Sequence, residues 1–402
     1  MPKKAEKDSD LKLPIELLNL LTGIDELELE DVDIAVDELE FVYQPGVIPA
    51  LQRMVAATKG KPASLLEAPF TLPIQKYPGQ IVEVTLGATK SQGGSRGKSI
   101  TIGGEKSPPF YTFESPTLNA PVISLDVFDS KVPIPKAVKT NFNNAMEDPV
   151  SWAKFAVDKF GAQMITLHLV SIDPLNPKPS TPAEAAKTVE DVLQAVDVPL
   201  VVGGCGDPQK DLAVFEKVTA AAEGERLLIS TVTLDMDIEK SAKLIKQHGH
   251  VALAFSPMDL NQARELNRRL LDFLPKEQII MDTTTAALGY GLDYAYTIME
   301  RARLAGLMGD PELQQPMSSG TTNAWAAREA WQTMDPKWGD KGLRGPLWET
   351  VTGLTLLLAG VDLFMMLHPA AVQTLRNTIK RLTEKSGSAD IAKIANWVSA
   401  NF

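Results

Sequence analysis

Cysteine is nearly absent. Cys205 is the single one in 402 residues. That excludes a disulfide framework, and this chain alone cannot ligate an iron–sulfur cluster or a cysteine-rich zinc site. Histidine is scarce as well: His168, His248, His250 and His368 are the full set of 4. Positive charge is in deficit. Lys and Arg total 40 against 51 Asp and Glu, a net of −11, which argues against a general nucleic-acid binder. A bilayer-spanning run is missing too. The most apolar stretch, Leu354–Leu367, is broken by Gly360 and Asp362 and falls short of the roughly 20 residues a span needs. The opening Met1-Pro2-Lys3-Lys4 leads into Ala5-Glu6-Lys7-Asp8 rather than the apolar core of a secretion signal. The expectation is a soluble, cytoplasmic protein.

What is present favours a large core. Apolar residues make up 44% and charged residues 23%, a globular composition. The acidity is local. Residues 1–45 hold 13 Asp/Glu and 4 Lys, a net of −9, leaving −11 + 9 = −2 for the remainder. Residues 1–57 therefore read as an acidic N-terminal arm. Pro14–Leu21 suggests a short helix stopped at Gly23, and the alternation of acid and apolar residues over Glu26–Glu40 suggests a small hairpin. Residues 58–80, with Gly60, Pro62, Pro69, Pro73, Pro78 and Gly79, have the composition of a linker.

From residue 81 to 402 a different rhythm runs. Ile81–Leu86 and Ser99–Ile102 predict a hairpin around the glycine-rich Gly93-Gly94-Ser95-Arg96-Gly97-Lys98. Eight apolar runs then alternate with helical patterns: Val122–Val127, Met164–Val170, Leu200–Gly203, Leu227–Ser230, Val251–Phe255, Ile279–Met281, Pro316–Ser319 and Val361–Leu367. The helical patterns fall at about 148–160, 183–196, 208–222, 237–248, 260–273, 291–308, 323–332, 346–359 and 370–384. Buried strands joined by helical crossovers make a parallel sheet. Eight such units fit an α/β fold of the (β/α)8 TIM-barrel type, with the preceding hairpin plugging or extending its bottom.

In such a barrel the functional face carries the strand C-termini. That rim holds Asp126, Asp129, Ser171, Asp173, Gly203–Asp207, Thr231, Ser256, Asp282–Thr285, Ser318–Thr322 and His368. It is polar but poor in acid–base groups, and no strand end offers a Schiff-base lysine, which disfavours an aldolase. Gly93–Ser99 falls one glycine short of a phosphate loop and precedes a strand-like run, so it reads as a hairpin turn, with Arg96 and Lys98 available to a ligand or partner. Asp207-Pro208 reads as a helix cap, with Gly203 and Gly204 leaving room at the mouth. Cys205 reads as a small buried residue, and His168 as a satisfied core histidine. Four of the 6 tryptophans, Trp325, Trp331, Trp338 and Trp348, cluster around a long loop at Thr333–Gly345, as loop anchors or as an interface.

Several segments carry a family resemblance: Val84–Arg96, Ile102-Gly103-Gly104, Pro109-Phe110, Gly203-Gly204-Cys205-Gly206-Asp207, Leu288–Tyr294 and Ile298-Met299-Glu300-Arg301. Together they resemble the small (delta) subunit family of the corrinoid iron–sulfur protein from acetyl-CoA decarbonylase/synthase complexes. The resemblance covers about residues 80–385 and implies a (β/α)8 barrel that caps a corrinoid. It also implies a heterodimer with a large (gamma) subunit that holds the corrinoid domain and the 4Fe-4S cluster, and transient contact with acetyl-CoA synthase and a methyltransferase. The methyl group would pass between a methyl-tetrahydropterin and a nickel cluster. The Asp-x-His-x-x-Gly motif that ligates cobalt in other corrinoid proteins is absent here. No catalytic residue or metal ligand is expected in this chain. From barrel geometry, Asp126, Asp173, Gly204, Asp282, Thr283 and Ser319 are expected to face the corrin. The alternative is a self-sufficient methyl-tetrahydropterin:corrinoid methyltransferase. Ile279–Asp282 resembles such enzymes, but Leu167–Ser171 lacks their pterin-holding Asp-x-Asn.

Overall fold

The computed structural model describes residues 73–383. The acidic arm with its expected helix and hairpin, most of the 58–80 linker and the chain after residue 383 lie outside the described residues. Two short strands come first, β1 (Val84–Leu86) and β2 (Ile100–Ile102), paired antiparallel. Eight parallel strands follow: β3 (Val122–Phe128), β4 (Met164–His168), β5 (Leu200–Gly203), β6 (Leu228–Val232), β7 (Val251–Phe255), β8 (Ile279–Asp282), β9 (Ser318–Ser319) and β10 (Leu363–Met366). They run in the order β8-β7-β6-β5-β4-β3-β10-β9. A bridge between Met281 and Met317, with the Met281 N–H donating to the Pro316 carbonyl at 2.9 Å, joins the two edges into a near-closed barrel.

The helices form because their starts are written into the chain. They are α1 (Lys136–Lys139), α2 (Pro149–Phe160), α3 (Pro182–Ala195), α4 (Pro208–Ala221), α5 (Ile238–Gln247), α6 (Leu260–Leu271), α7 (Leu292–Leu307), α8 (Lys341–Ala359) and α9 (Pro369–Thr383). Helices α2, α3 and α4 each start with a capping residue followed by proline. Asp148 accepts the Ser151 N–H, Thr181 forms a reciprocal box with Glu184, and Asp207 accepts the Gln209 and Lys210 N–H groups. The cap takes N–H groups that lack helical partners, and proline loses nothing where no partner exists. No helix among the described residues is long and apolar enough to cross a membrane.

Strand alternation splits the core in two. Ile123, Leu125 and Val127 face the helices, in the larger cluster. Val122 faces inward with Met164, Val201, Leu228, Val251, Ile280 and Leu363, the first inward residues of their strands. Val84, Leu86 and Ile102 of the hairpin pack in that same cluster. The hairpin therefore plugs the N-terminal end, as expected. It is stitched there by Gly87 N–H to Arg226 O at 2.9 Å and Val82 N–H to Gln314 O at 2.7 Å.

Two expectations need correction. The segment 323–332 is not a regular helix but two 3-10 turns, Thr321–Ala326 and Arg328–Ala330. Helix α8 starts at Lys341 rather than at Pro346, because Asp340 caps it by accepting the Gly342 N–H at 2.6 Å. The glycine-rich segment is also structural. Arg96 is buried and donates to the carbonyls of Leu193, Val196 and Val198 and to Glu225, so it closes the exposed end of α3 instead of reaching a ligand.

Candidate functional site

Above the plug the barrel interior turns polar. Ser124 and Thr166 share a hydrogen bond of 2.7 Å, buried between β3 and β4. By the same alternation, Asp126, His168 and Asp282 stand above them at the strand C-termini. The pattern is legible in Ser124-Leu125-Asp126 and Thr166-Leu167-His168, where every second residue is polar inside otherwise apolar strands.

A belt of hydroxyls and carboxylates runs from β8 across β9 to β3. Ser318 donates to Asp282 Oδ2 at 3.0 Å, and the Thr284 N–H donates to Asp282 Oδ1 at 2.8 Å. Thr285 donates to Ser319 at 2.9 Å, and Ser319 shares 2.8 Å with Thr321. Thr322 donates to Asp126 Oδ2 at 2.5 Å. Burial pushes the Asp282 carboxyl up to about 6 against the pull of its two donors.

The belt is only partly satisfied. Asp126 Oδ1, Ser256 Oγ and Thr283 Oγ1 are buried without a hydrogen-bond partner among the described residues. His168 Nε2 lies 3.3 Å from Asp126 Oδ1, yet neither atom is aligned for a hydrogen bond. The imidazole stacks on Phe128 at 4.8 Å, and a quarter of its side chain is exposed. His168 is thus not a satisfied core histidine but part of the mouth. Such orphaned groups are costly to bury and mark a place that water or a polar ligand completes.

Behind the belt sits Glu349 of α8, fully buried. Its carboxylate accepts from Trp325 Nε1 at 2.9 Å, the Leu367 N–H at 2.5 Å and the His368 N–H at 3.0 Å. Burial raises its pKa to about 8, with the Asp126 charge pushing the same way and the three donors opposing. His368 was expected at the rim but is buried. Its Nδ1 accepts the Ala370 N–H at 3.1 Å, its ring stacks at 6.0 Å on Trp325, and desolvation lowers it to about 4.

Of the six residues expected to face a ligand, Asp126, Asp282, Thr283 and Ser319 lie in or beside this belt. Asp173 and Gly204 have local duties. Asp173 accepts the Leu175 N–H at 2.8 Å and shapes the loop after β4. A Cβ on Gly204 would lie 2.2 Å from the Asp211 carboxyl, which accepts the Cys205 and Gly206 N–H groups. The glycine thus makes room for Asp211 rather than for a ligand. Cys205 is half-buried rather than buried, yet desolvation still pushes its thiol up to about 11, in keeping with an unreactive side chain. Reading the rim alone missed Glu349, although one signal was available: it is the only acid in the apolar run Pro346–Ala359. Among the described residues, no group of three or more His, Cys, Asp or Glu could hold a metal ion.

Comparison with known proteins adds a second line of observation. Residues 83–340 match the family model described as CO dehydrogenase/acetyl-CoA synthase delta subunit. The chain is 49% identical over 362 residues to the acetyl-CoA decarbonylase/synthase complex subunit delta of Archaeoglobus fulgidus, covering 88% of this chain and 78% of that one. It is 50% identical over 361 residues to subunit delta 1 of Methanosarcina thermophila, covering 88% and 81%. Among solved structures, a dihydropteroate synthase from Xanthomonas albilineans in complex with 7,8-dihydropteroate superposes with a TM-score of 0.47 at 13% identity, covering 67% and 96%.

Proposed function

The chain belongs to the CO dehydrogenase/acetyl-CoA synthase delta subunit family, and from that premise we propose that it is the small subunit of a corrinoid iron–sulfur protein, a cap rather than a catalyst. The observation that carries this reading is the match over residues 83–340 together with about half identity to delta subunits across most of both chains. Family membership implies a corrinoid-binding complex and a large corrinoid iron–sulfur partner. A four-iron cluster would belong to that other chain, in keeping with the single cysteine in the 402 residues here. We place this heterodimer in the cytoplasm, with acetyl-CoA synthase and a methyltransferase as transient partners.

The mouth residues suit a corrin on chemical grounds. A corrin has a ring edge rich in carboxamides, and the unpartnered Ser256 Oγ, Thr283 Oγ1 and Asp126 Oδ1 are groups that amides would satisfy. Thr283, Asp126, Asp282 and Ser319 remain the proposed corrin-facing residues, while Asp173 and Gly204 would act by shaping their loops. When bound, the corrinoid supplies a cobalt that carries the methyl group. This chain's own part is to exclude water from that face and to orient the ring edge. Its sparse acid–base equipment fits shielding better than proton transfer. Outside the mouth, the solvent face of α8 exposes Leu347, Val351 and Leu358, and neighbouring α7 exposes Tyr294. Apolar surface of this kind suits a permanent protein partner, here the large subunit.

Co-expression with the large subunit is the direct test. The expected result is a copurifying heterodimer whose absorbance spectrum shows cobalamin, with no turnover of methyl-tetrahydrofolate by this chain alone. A heterodimer without cobalt would end the capping role. Turnover on free corrinoid by the isolated chain would favour the self-sufficient methyltransferase.

A further inference from the structure

An open cavity of about 440 Å³ lies outside the hydroxyl belt, between the loop after β3 and the loop after β9. Pro135, Lys136 and Ala137 line one side, and Ala330, Trp331 and Lys341 line the other. Both walls are pinned from behind. Asn141 donates to the Ala137 carbonyl at 2.7 Å and lies 3.2 Å from His368 Nε2, tying the first wall to the end of β10. Arg344, buried on α8, donates to Glu329 O at 2.8 Å and Gln332 O at 2.6 Å, gripping the backbone on both sides of Trp331. The cavity is therefore preformed rather than a gap between loose loops.

Its lining is chemically lopsided. Lys136 and Lys341 form no ion pair among the described residues. No carboxylate lines the cavity, and the adjacent Asp340 is turned to the start of α8. Trp331 leaves 39% of its surface exposed, although its backbone is firmly held. A half-exposed indole offers a face for stacking a planar ring. Two lysines offer point charges to a carboxylate or phosphate. The volume falls within the usual range for small ligands, about 300–1,000 Å³.

We propose that this cavity binds a planar aromatic group bearing an anionic tail, with the ring against Trp331 and the anion between Lys136 and Lys341. The tail could be a carboxylate or a phosphate, and the probes separate the two. The full chain is titrated calorimetrically with p-aminobenzoylglutamate, with adenosine 5′-monophosphate and with inorganic phosphate. The expected result is saturable binding of one ring-bearing anion, about tenfold or more tighter than inorganic phosphate. Preference for p-aminobenzoylglutamate identifies a carboxylate tail, and preference for the nucleotide a phosphate tail. The Lys136→Ala, Lys341→Ala double variant should weaken that binding by about tenfold or more. Trp331→Ala should bring the ring-bearing ligand down towards inorganic phosphate. All three side chains are exposed, so unchanged thermal midpoints should confirm that the variants fold. The proposal is overturned if neither ring-bearing anion binds, if neither exceeds inorganic phosphate, or if binding survives both sets of substitutions undiminished. It does not depend on the corrinoid role, since the test needs neither the partner nor cobalt.

Discussion

The two ends of the barrel follow opposite rules. At the N-terminal end the hairpin fills the interior with Val84, Leu86 and Ile102, and a buried cation is answered by its neighbours. Arg303 donates to Glu105 at 2.8 Å, to Asp362 at 2.6 Å and to the Gly360 carbonyl. Burial raises the Asp362 carboxyl above the ordinary carboxylate range, and the guanidinium only partly pulls it back. Exceptions remain there, since the Gln315 amide and Arg303 Nε are buried without partners. At the other end the barrel keeps hydroxyls and a carboxylate oxygen without hydrogen-bond partners. The closed end is filled by apolar side chains around an ion-paired cation, whereas the mouth is lined by hydroxyls and carboxylates. That difference in lining makes the mouth the candidate working face.

The contrast can be broken most easily at the closed end. Arg303→Met should cost about 3–5 kcal/mol, because it strands the buried Asp362 carboxylate and leaves the half-buried Glu105 unpaired, and urea denaturation would read it. Ile102→Ala, which hollows the plug, should cost about 2–5 kcal/mol in the same assay. Glu349→Gln belongs to the mouth and should cost less, about 1–3 kcal/mol, since an amide cannot accept from all three donors. It should also change the pH profile. The folded carboxyl near 8 lies above its ordinary 4.5, so the native state holds the extra proton between those values. Wild-type stability from this group therefore falls as pH rises through that window, and the glutamine variant should show a flatter decline. His250 and His368 act in the other direction. Both are lowered from 6.5 to about 4, so the unfolded chain takes up more protons there and stability is lost as pH drops from about 6.5 to 4. Smallest of all, Ser256→Ala and Thr283→Val should leave stability of the lone chain within about 0.5 kcal/mol or raise it slightly, since each removes an unpaired hydroxyl. In the cobalt-bearing heterodimer the same changes should lower corrinoid retention. A mouth change that costs as much as Ile102→Ala would erase the distinction between the ends.

Much of this was legible in residue order. The strands β3 to β8 and β10 fall where Val122–Val127, Met164–Val170 and the later apolar runs stand, because strands buried on both faces are apolar over most of their length. The segment 323–332 misled because its alanines and tryptophan have helical character. There, however, Trp325 is committed to Glu349 and Arg344 holds the carbonyls of Glu329 and Gln332. Those contacts come from residues 12 to 24 positions away, and local periodicity carries no trace of them. His168 misled for the opposite reason. Its apolar neighbours Leu167 and Leu169 face the helices, while its own ring faces the mouth.

Residue order alone determined the crossover rhythm, the helix caps and the face on which polar strand ends collect. All of these are set by interactions within a few residues of one another. Only tertiary structure decided which polar atoms found partners. Asp126 gains Thr322 from 196 positions away but leaves Oδ1 without a hydrogen bond, Glu349 is enclosed by three donors, and Arg96 closes a helix about a hundred residues downstream. Hydrogen-bond satisfaction depends on distances across the closed barrel, and closing the barrel is what brings those residues within reach.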